Sequence, residues 1–309
     1  MIYIDMLGNL GNQLFEYAYA RKIQELTGQK VTLNTCFLEK YYKDYKFNLD
    51  SYKLNENIII EKKNKLPFFM NINTIFAKVI LRAISKNKKI DEKVSNLIYN
   101  VASRKGYYLW LKETYKEIKL YNRKNYYITG FWQSPYYFDD IKDILIKELQ
   151  PKCDLLEENK ELYSVISNNE SICVTIRRGD YVHNEEIRKS YLVCNEEFYY
   201  NAVNKIKEEF PKAVVICFSD DIEWVKENLK FNCKTYYESG KDPVWEKLRL
   251  MSLCKHFVIS NSSFSWWAQY LSTNEDKIVY APKQWYADGR KADIFEKSWR
   301  YLEDEWGSE

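Results

Sequence analysis

Short apolar runs alternate with amphipathic stretches through the second half of this chain, and that rhythm restricts it to one fold class. Ile172–Ile176, Ala213–Phe218, Phe257–Ile259 and Lys277–Tyr280 each read as a buried strand. Between them, Asn195 caps a helix carrying Phe198, Ala202, Val203, Ile206 and Phe210. Ser219-Asp220-Asp221 opens a second helix with Ile222, Val225 and Leu229. Asp242 caps a third that starts at Pro243 and runs through Leu248, Met251 and Leu253. Ser260-Asn261-Ser262-Ser263 opens a fourth, Phe264–Leu271. Strands that alternate with helices form a mostly parallel sheet, which binds ligands at the strand C-termini.

The first half opens in the same way. Ile2–Met6 is a strand, Leu7–Asn12 a turn-rich loop, and Leu14, Tyr17, Ala18, Arg21 and Ile23 follow helical spacing until Gly28 stops them. Val31-Thr32-Leu33 is the next strand, which completes a βαβ unit. Later, Tyr127–Trp132 reads as a strand ending in an aromatic turn, and Asp139 or Asp140 caps a helix that Pro151 closes. These signals place an N-terminal domain at 1–155, with a basic, aromatic insertion at about 55–125. A C-terminal domain follows at 156–285, and a tail at 286–309 is expected to pack back on the N-terminal domain.

Charge and composition exclude several classes. Lys+Arg is 47 and Asp+Glu 44, a net +3, so no bulk field recruits nucleic acid. From 61 to 124 there are 16 Lys+Arg and 5 Asp+Glu, a local +11. Within that stretch Phe69, Ile72, Ile75, Phe76, Val79, Ile80 and Ala83 make a helical stripe beside Lys78, Arg82 and Lys86. It reads either as a core-facing helix with a solvated basic edge or as a surface for anionic lipid. Two histidines, His183 and His256, argue against a His-rich metal site, so no metal is expected. Seven cysteines without C-x-x-C spacing read as buried free thiols of a reducing cytoplasm. Neither a signal peptide nor a membrane span is expected.

Three constellations can carry chemistry. Arg177-Arg178-Gly179-Asp180 follows a buried strand, where guanidinium groups grip phosphate and Gly179 allows a close backbone approach. Asp180 orients an arginine or accepts a proton; the plain alternative is a surface turn with an Arg–Asp pair. Asn261-Ser262-Ser263-Phe264 lies at a helix N-terminus, an anion site or a simple cap. Gly8-Asn9-Leu10-Gly11-Asn12-Gln13 spends two of nine glycines at a strand-to-helix turn, for a polar ligand or a tight turn. It is neither a dinucleotide fingerprint nor a Walker loop. No D-x-D and no G-x-S-x-G occur, against a metal-bound sugar nucleotide and a serine hydrolase. Together these read as one domain holding a diphosphate-linked donor and another holding an acceptor.

The same residues resemble glycosyltransferase family 11, the bacterial α1,2-fucosyltransferases. Gly8–Phe15 resembles its G-G-L-G-N-Q-[ML]-F, and Gly130-Phe131-Trp132-Gln133-Ser134 its G-[YF]-[WF]-Q-S. Val174–Tyr181 resembles V-H-I-R-R-G-D-Y, and Leu250–His256 with Ser260–Trp267 resembles L-M-S-x-C-K-H…N-S-S-F-S-W-W. Thr175, Asn9 and Lys247 stand where the family often has His, Gly and Asp, which moves a guanine-reading carboxylate to Glu246 or elsewhere.

The resemblance implies an α/β, GT-B-like fold: two Rossmann-like domains facing across a cleft. It implies inverting transfer of L-fucose from GDP-β-L-fucose to a galactose-containing glycan, with no metal or cofactor, at the cytoplasmic face in surface-polysaccharide synthesis. The acceptor is lipid-linked on this reading, and peripheral membrane contact is expected. Alternatives are transfer of another GDP-linked sugar and a non-catalytic glycan- or nucleotide-binding module. The implied catalytic set is Arg177, Asp180 and Glu185, the last on the Arg-plus-eight spacing of related α1,6-fucosyltransferases; His183 lies nearby. Donor contacts fall on Arg177, Arg178, Asp220, Glu246, Asn261, Ser262, Ser263 and Phe264. The acceptor side falls on Gly8, Asn9, Gly11, Asn12, Gln13, Trp132 and Gln133. Tyr41, Tyr42, Trp110, Trp132 and Gln133 read equally as sugar contacts or as packing.

Overall fold

The computed structural model describes residues 1–36, 38, 45–62, 92–110 and 112–303. The expected stripe at 69–83, the Tyr41-Tyr42 pair and the tail beyond Glu303 lie outside the described residues. Two compact units emerge. One comprises 1–47, 55–132 and 136–140; the other comprises 48–54, 133–135 and 141–309.

The first unit is built on β1 (Ile2–Asp5), α1 (Leu10–Thr27), β2 (Val31–Asn34), β3 (Ile58–Glu61), α2 (Glu92–Ser103), β4 (Tyr107–Trp110) and β5 (Tyr126–Gly130). All strand pairs are parallel, in the order β3-β2-β1-β5-β4. β1 and β2 are almost wholly buried while β3 is half-exposed, as central and edge strands require. Helix α1 begins at Leu10, so Gly11, Asn12 and Gln13 form its first turn and not the loop that their composition implies. It ends where expected: Gly28 adopts φ 65° and its N–H bonds the Gln24 carbonyl at 2.7 Å. Where an insertion is expected at about 55–125, the described residues supply β3 and β4, which pair with β2 and β5 within the sheet.

The second unit contains α3 (Lys142–Glu148), α4 (Lys160–Asn168), β6 (Ser171–Ile176), α5 (Gly179–His183), α6 (Glu185–Tyr191), α7 (Glu196–Glu209), β7 (Val214–Ser219), α8 (Ile222–Asn228), β8 (Thr235–Tyr237), α9 (Val244–Leu253), β9 (His256–Val258), α10 (Ser263–Leu271) and β10 (Val279–Tyr280). Its sheet is again parallel, in the order β10-β9-β6-β7-β8. β6 is buried along its whole length between β7 and β9. Its core joins Val174, Val215 and Val258 to Phe198, Ala202, Val203 and Ile206 of α7. Asn195 caps α7 through the Phe198 N–H at 2.9 Å, as expected. Asp242 does not cap α9, whose N-cap is Pro243.

The boundary expected near 155 falls earlier, because 48–54 and 141 onward cluster with the second unit. Tyr52 bridges Pro151 in antiparallel fashion, and the Lys53 N–H bonds the Gln150 carbonyl at 2.9 Å. The described tail, 286–303, clusters with the second unit and not with the N-terminal one. The Trp266 indole donates to the Ile294 carbonyl at 2.7 Å, and Arg300 bridges Tyr280 beside the sheet. All seven cysteines are free, but only Cys173, Cys217 and Cys254 are fully buried. Among the described residues no helix is long and apolar enough to cross a membrane.

Candidate active site

Strand order alone locates a crevice. In the second sheet the first strand of the unit, β6, lies centrally, with β7 on one side and β9 on the other. The chain therefore reverses its direction of winding between β6 and β9, and an open α/β sheet binds ligand beyond that point. Beyond β6 come Arg177, Arg178 and Gly179; beyond β9 come Ser260–Ser263; beyond β7 comes Asp220. The two constellations singled out in the sequence thus stand at adjacent strand tips.

Polar contacts tie those tips together. The Ser260 N–H donates to Thr175 Oγ1 at 3.0 Å, which couples the end of β6 to the turn after β9. The Tyr181 hydroxyl donates to the Asn261 carbonyl at 3.2 Å, and the Asn261 amide donates to the carbonyls of Tyr191 and Trp285 at 2.8 and 2.9 Å. Asn261 is buried and its side chain is spent on this bracing. Burial pushes the Tyr181 phenol up, although nearby Arg177 pulls it back, so it stays a neutral donor. Thr175, at the position where the family often carries His, serves as this strut.

The two guanidinium groups have different surroundings. Arg177 lies 31% exposed, with Nη1 2.6 Å from Asp220 Oδ2 and Nη2 3.4 Å from Asp180 Oδ2. Arg178 is 18% exposed, its Nε bonds Asp221 Oδ2 at 3.2 Å, and its Cζ sits 3.2 Å from the Trp224 ring centroid. Arg178 is held on α8, whereas Arg177 lies between the carboxylates of Asp180 and Asp220. Asp180 therefore holds Arg177, not Arg178. Asp220 does double duty, because its Oδ1 accepts the Arg178 backbone N–H at 2.9 Å. A Cβ at Gly179 would collide with Asp220 Oδ2, which explains the glycine sterically.

The second wall is the start of α10. Ser262 is its N-cap, without a side-chain cap bond, and Ser262, Ser263 and Phe264 are partly exposed. The first-turn N–H groups of any helix lack intrahelical acceptors and carry the positive end of its dipole. Guanidinium groups and helix N-termini both attract anions, and here Arg177 and the start of α10 follow neighbouring strands.

Other expected site residues are placed elsewhere. Glu246 is fully buried in α9, where Oε1 accepts from the Tyr163 hydroxyl at 2.7 Å and the Asn159 amide at 3.2 Å, and Oε2 lies 3.3 Å from Arg249. It braces α9 against α4 and has no face for a base. Lys247, in turn, pairs with buried Glu238 at 2.9 Å. Glu185 sits 81% exposed in the first turn of α6 and bonds Lys189 at 2.7 Å, so a helical neighbour occupies it instead of Arg177. His183 is exposed at the end of α5.

In the first unit the analogous reversal lies between β1 and β5. Gly8 takes φ 66°, and Asn9 begins α1 by accepting the Asn12 and Gln13 N–H groups at 2.9 and 3.1 Å. Gln13 is buried and latches the loop by donating to the carbonyls of Gly8 and Lys46 at 2.9 and 2.8 Å. Gly11 is buried too, which leaves Asn9 exposed and Asn12 partly so. Trp132 is no sugar platform. It is fully buried, stacked on Tyr19 at 3.9 Å and 4°, with φ 54°. Trp110 is likewise core, its indole donating to the Thr114 carbonyl at 2.6 Å. Gln133 clusters with the second unit.

A sequence model of glycosyl transferase family 11 matches residues 1–303. The chain belongs to that family. This glycosyltransferase is 32% identical over 294 residues to an alpha-1,2-colitosyltransferase of Escherichia coli, covering 91% of each chain. It is 29% identical over 311 residues to the O-antigen biosynthesis glycosyltransferase WbnK of the same organism, covering 96% of this chain and 99% of the relative. Its fold is similar to that of fucosyltransferase NodZ from Bradyrhizobium, with a TM-score of 0.53 at 12% identity, covering 86% of this chain and 91% of that one. The architecture is GT-B-like α/β, as the resemblance implied.

Sequence reasoning missed four residues that shape these sites. Asp221 and Trp224 flank one face of α8 at i,i+3 spacing, a signal that would have paired them. Asp5 and Glu16 are buried below the Gly8 loop of the glycosyltransferase. Asp5 accepts from Asn34 at 2.7 Å and Thr129 at 2.6 Å, and Glu16 Oε2 accepts the Leu7 N–H at 2.8 Å. Burial pushes both carboxyls up, and Asp5 raises Glu16 further.

Proposed function

We propose that this enzyme transfers L-fucose from GDP-β-L-fucose, with inversion and without a divalent metal, to O2 of a galactose in a glycan acceptor. The acceptor is a lipid-linked unit of O-antigen synthesis, met at the cytoplasmic face of the membrane. One observation carries the reading: Arg177 and the α10 mouth lie at adjacent strand tips, joined by the Tyr181–Asn261 bond at 3.2 Å.

In the transfer, the bond from the fucose anomeric carbon to the β-phosphate oxygen breaks, and its electron pair leaves with the diphosphate. Arg177 and the first-turn N–H groups of α10 stabilise that charge; one preorganised donor contributes about 3–4 kcal/mol. The galactose hydroxyl attacks from the opposite face, and its proton passes to a carboxylate. Asp180, exposed beside Arg177, fills that role better than Glu185, and a placed base is worth roughly 10²–10⁴-fold. Arg178 keeps Asp220, and through it Arg177, in place.

A second reading has specific support. The Escherichia coli relative at 32% identity is an alpha-1,2-colitosyltransferase, which favours a reading in which this chain transfers another GDP-linked sugar. Incubation with a panel of GDP-sugars and galactosides, with product linkage assigned by NMR, tests both. The first reading expects GDP-fucose to lead, an α1,2 product and undiminished activity in EDTA. Preference for another GDP-sugar supports the second, and loss of activity in EDTA with rescue by Mg²⁺ or Mn²⁺ overturns the metal-free mechanism.

A further inference from the structure

Helix α2 turns its apolar stripe away from the protein. Its inner face packs on β4 through buried Tyr99 and Ser103, with the Tyr99 ring edge-on to Tyr108 at 6.0 Å and to Trp110 at 5.7 Å. Outward it shows Val94, Leu97 and Val101, which are 44%, 63% and 54% exposed, with Ile98 half-buried among them. Positions 94, 97, 98 and 101 follow i, i+3, i+4, i+7 spacing, the pattern by which a helix ordinarily faces a core. Exposed Lys93 precedes the stripe, and exposed Arg104 and Lys105 follow it. The sequence from 61 to 124, to which this helix belongs, has 16 Lys+Arg against 5 Asp+Glu in a chain whose net charge is only +3.

We propose that the outer face of α2 is the surface by which this glycosyltransferase lies on an anionic lipid bilayer, with the helix axis along the interface. Aliphatic side chains gain nothing from phosphate groups, so a nucleic acid held through its backbone would use the cations and leave the stripe wet. An anionic bilayer satisfies both features: acyl chains take Val94, Leu97 and Val101, and headgroup phosphates take the flanking lysines and arginine. The surface stands independently of which sugar is transferred.

The test is co-sedimentation of the full-length enzyme with vesicles of phosphatidylglycerol and phosphatidylethanolamine, and with neutral phosphatidylcholine vesicles. Wild type is expected to pellet with the anionic vesicles and not with the neutral ones, and to be released by 0.5 M salt. The triple variant Val94→Ser, Leu97→Ser, Val101→Ser and the double variant Arg104→Glu, Lys105→Glu are each expected to lose at least tenfold in partitioning. Both should keep the wild-type thermal midpoint and full activity on a soluble acceptor, because these side chains are exposed. Equal partitioning of the serine variant and wild type would overturn the proposal. So would a wild-type dimer in solution that the serine variant abolishes, which assigns the stripe to a second copy. Salt-sensitive DNA binding that only the charge variant loses, with no vesicle binding, would also overturn it.

Discussion

Asp220 holds the side chain of Arg177 at 2.6 Å through one carboxylate oxygen and the backbone N–H of Arg178 at 2.9 Å through the other. One side chain just beyond β7 thereby fixes both the direction of a guanidinium and the backbone that carries it. The arrangement predicts that Asp220→Asn, which keeps shape but drops the charge, raises the donor KM about tenfold or more with a near-normal thermal midpoint. A charge-assisted hydrogen bond is about twice as strong as a neutral one, so Asn cannot fully replace it. An unchanged donor KM would remove Asp220 from this role.

Gly179→Ala tests the same contact from the other side. The new Cβ collides with Asp220 Oδ2, so the carboxylate must shift. Because Oδ2 is the tip of a side chain, the shift falls on its bond to Arg177 and not on the backbone. We expect donor kcat/KM to fall at least tenfold, and combination with Asp220→Asn to add less than the sum of the two effects, because both act on one contact. Additive effects would mean that Gly179 matters for another reason.

The two candidate bases separate cleanly. Glu185→Gln should leave kcat within twofold, since its carboxylate is exposed and paired with Lys189. Asp180→Asn should lower kcat by roughly 10²-fold or more if it accepts the proton. The reverse order would restore Glu185 to the catalytic position.

Trp132 shows where sequence reading stops. An aromatic after a strand reads alike as a sugar platform or as core, and only the 3.9 Å stack on Tyr19 decides it. Trp132→Ala should destabilise the protein by about 3–5 kcal/mol, read as a shift of the urea midpoint. A large rise in acceptor KM with no stability loss would return it to the acceptor side. Glu246 suggests itself because it adjoins Lys247, where the family often has Asp, and only the tertiary contacts with Asn159 and Tyr163 show its carboxylate spent inside the protein. By contrast, Arg177 and the Ser262 turn were legible because local signals, an apolar run and then a polar turn, mark strand tips. That β6 and β9 are neighbours was not legible, since strand pairing is non-local. The membership of β3 and β4 in the sheet was hidden for the same reason, by the basic composition around them.

Glu16 predicts a pH effect on stability. Burial and neighbouring Asp5 raise its folded pKa above the free value of about 4.3. Its contribution is therefore whole below that value and is lost as pH rises through the folded pKa. Glu16→Gln can still accept the Leu7 N–H and has no proton to lose. Urea midpoints from pH 4 to 8 should show the variant gaining on wild type as pH rises. A constant gap would contradict the buried, raised carboxyl.

The account rests on Arg177 gripping a diphosphate, and calorimetric titration of GDP into wild type and Arg177→Ala tests that most directly. Wild type should bind GDP, and the variant, with an unchanged thermal midpoint, should bind it at least tenfold more weakly. Equal affinity for GDP in the two proteins would contradict the assignment of the β6–β9 crevice as the donor site.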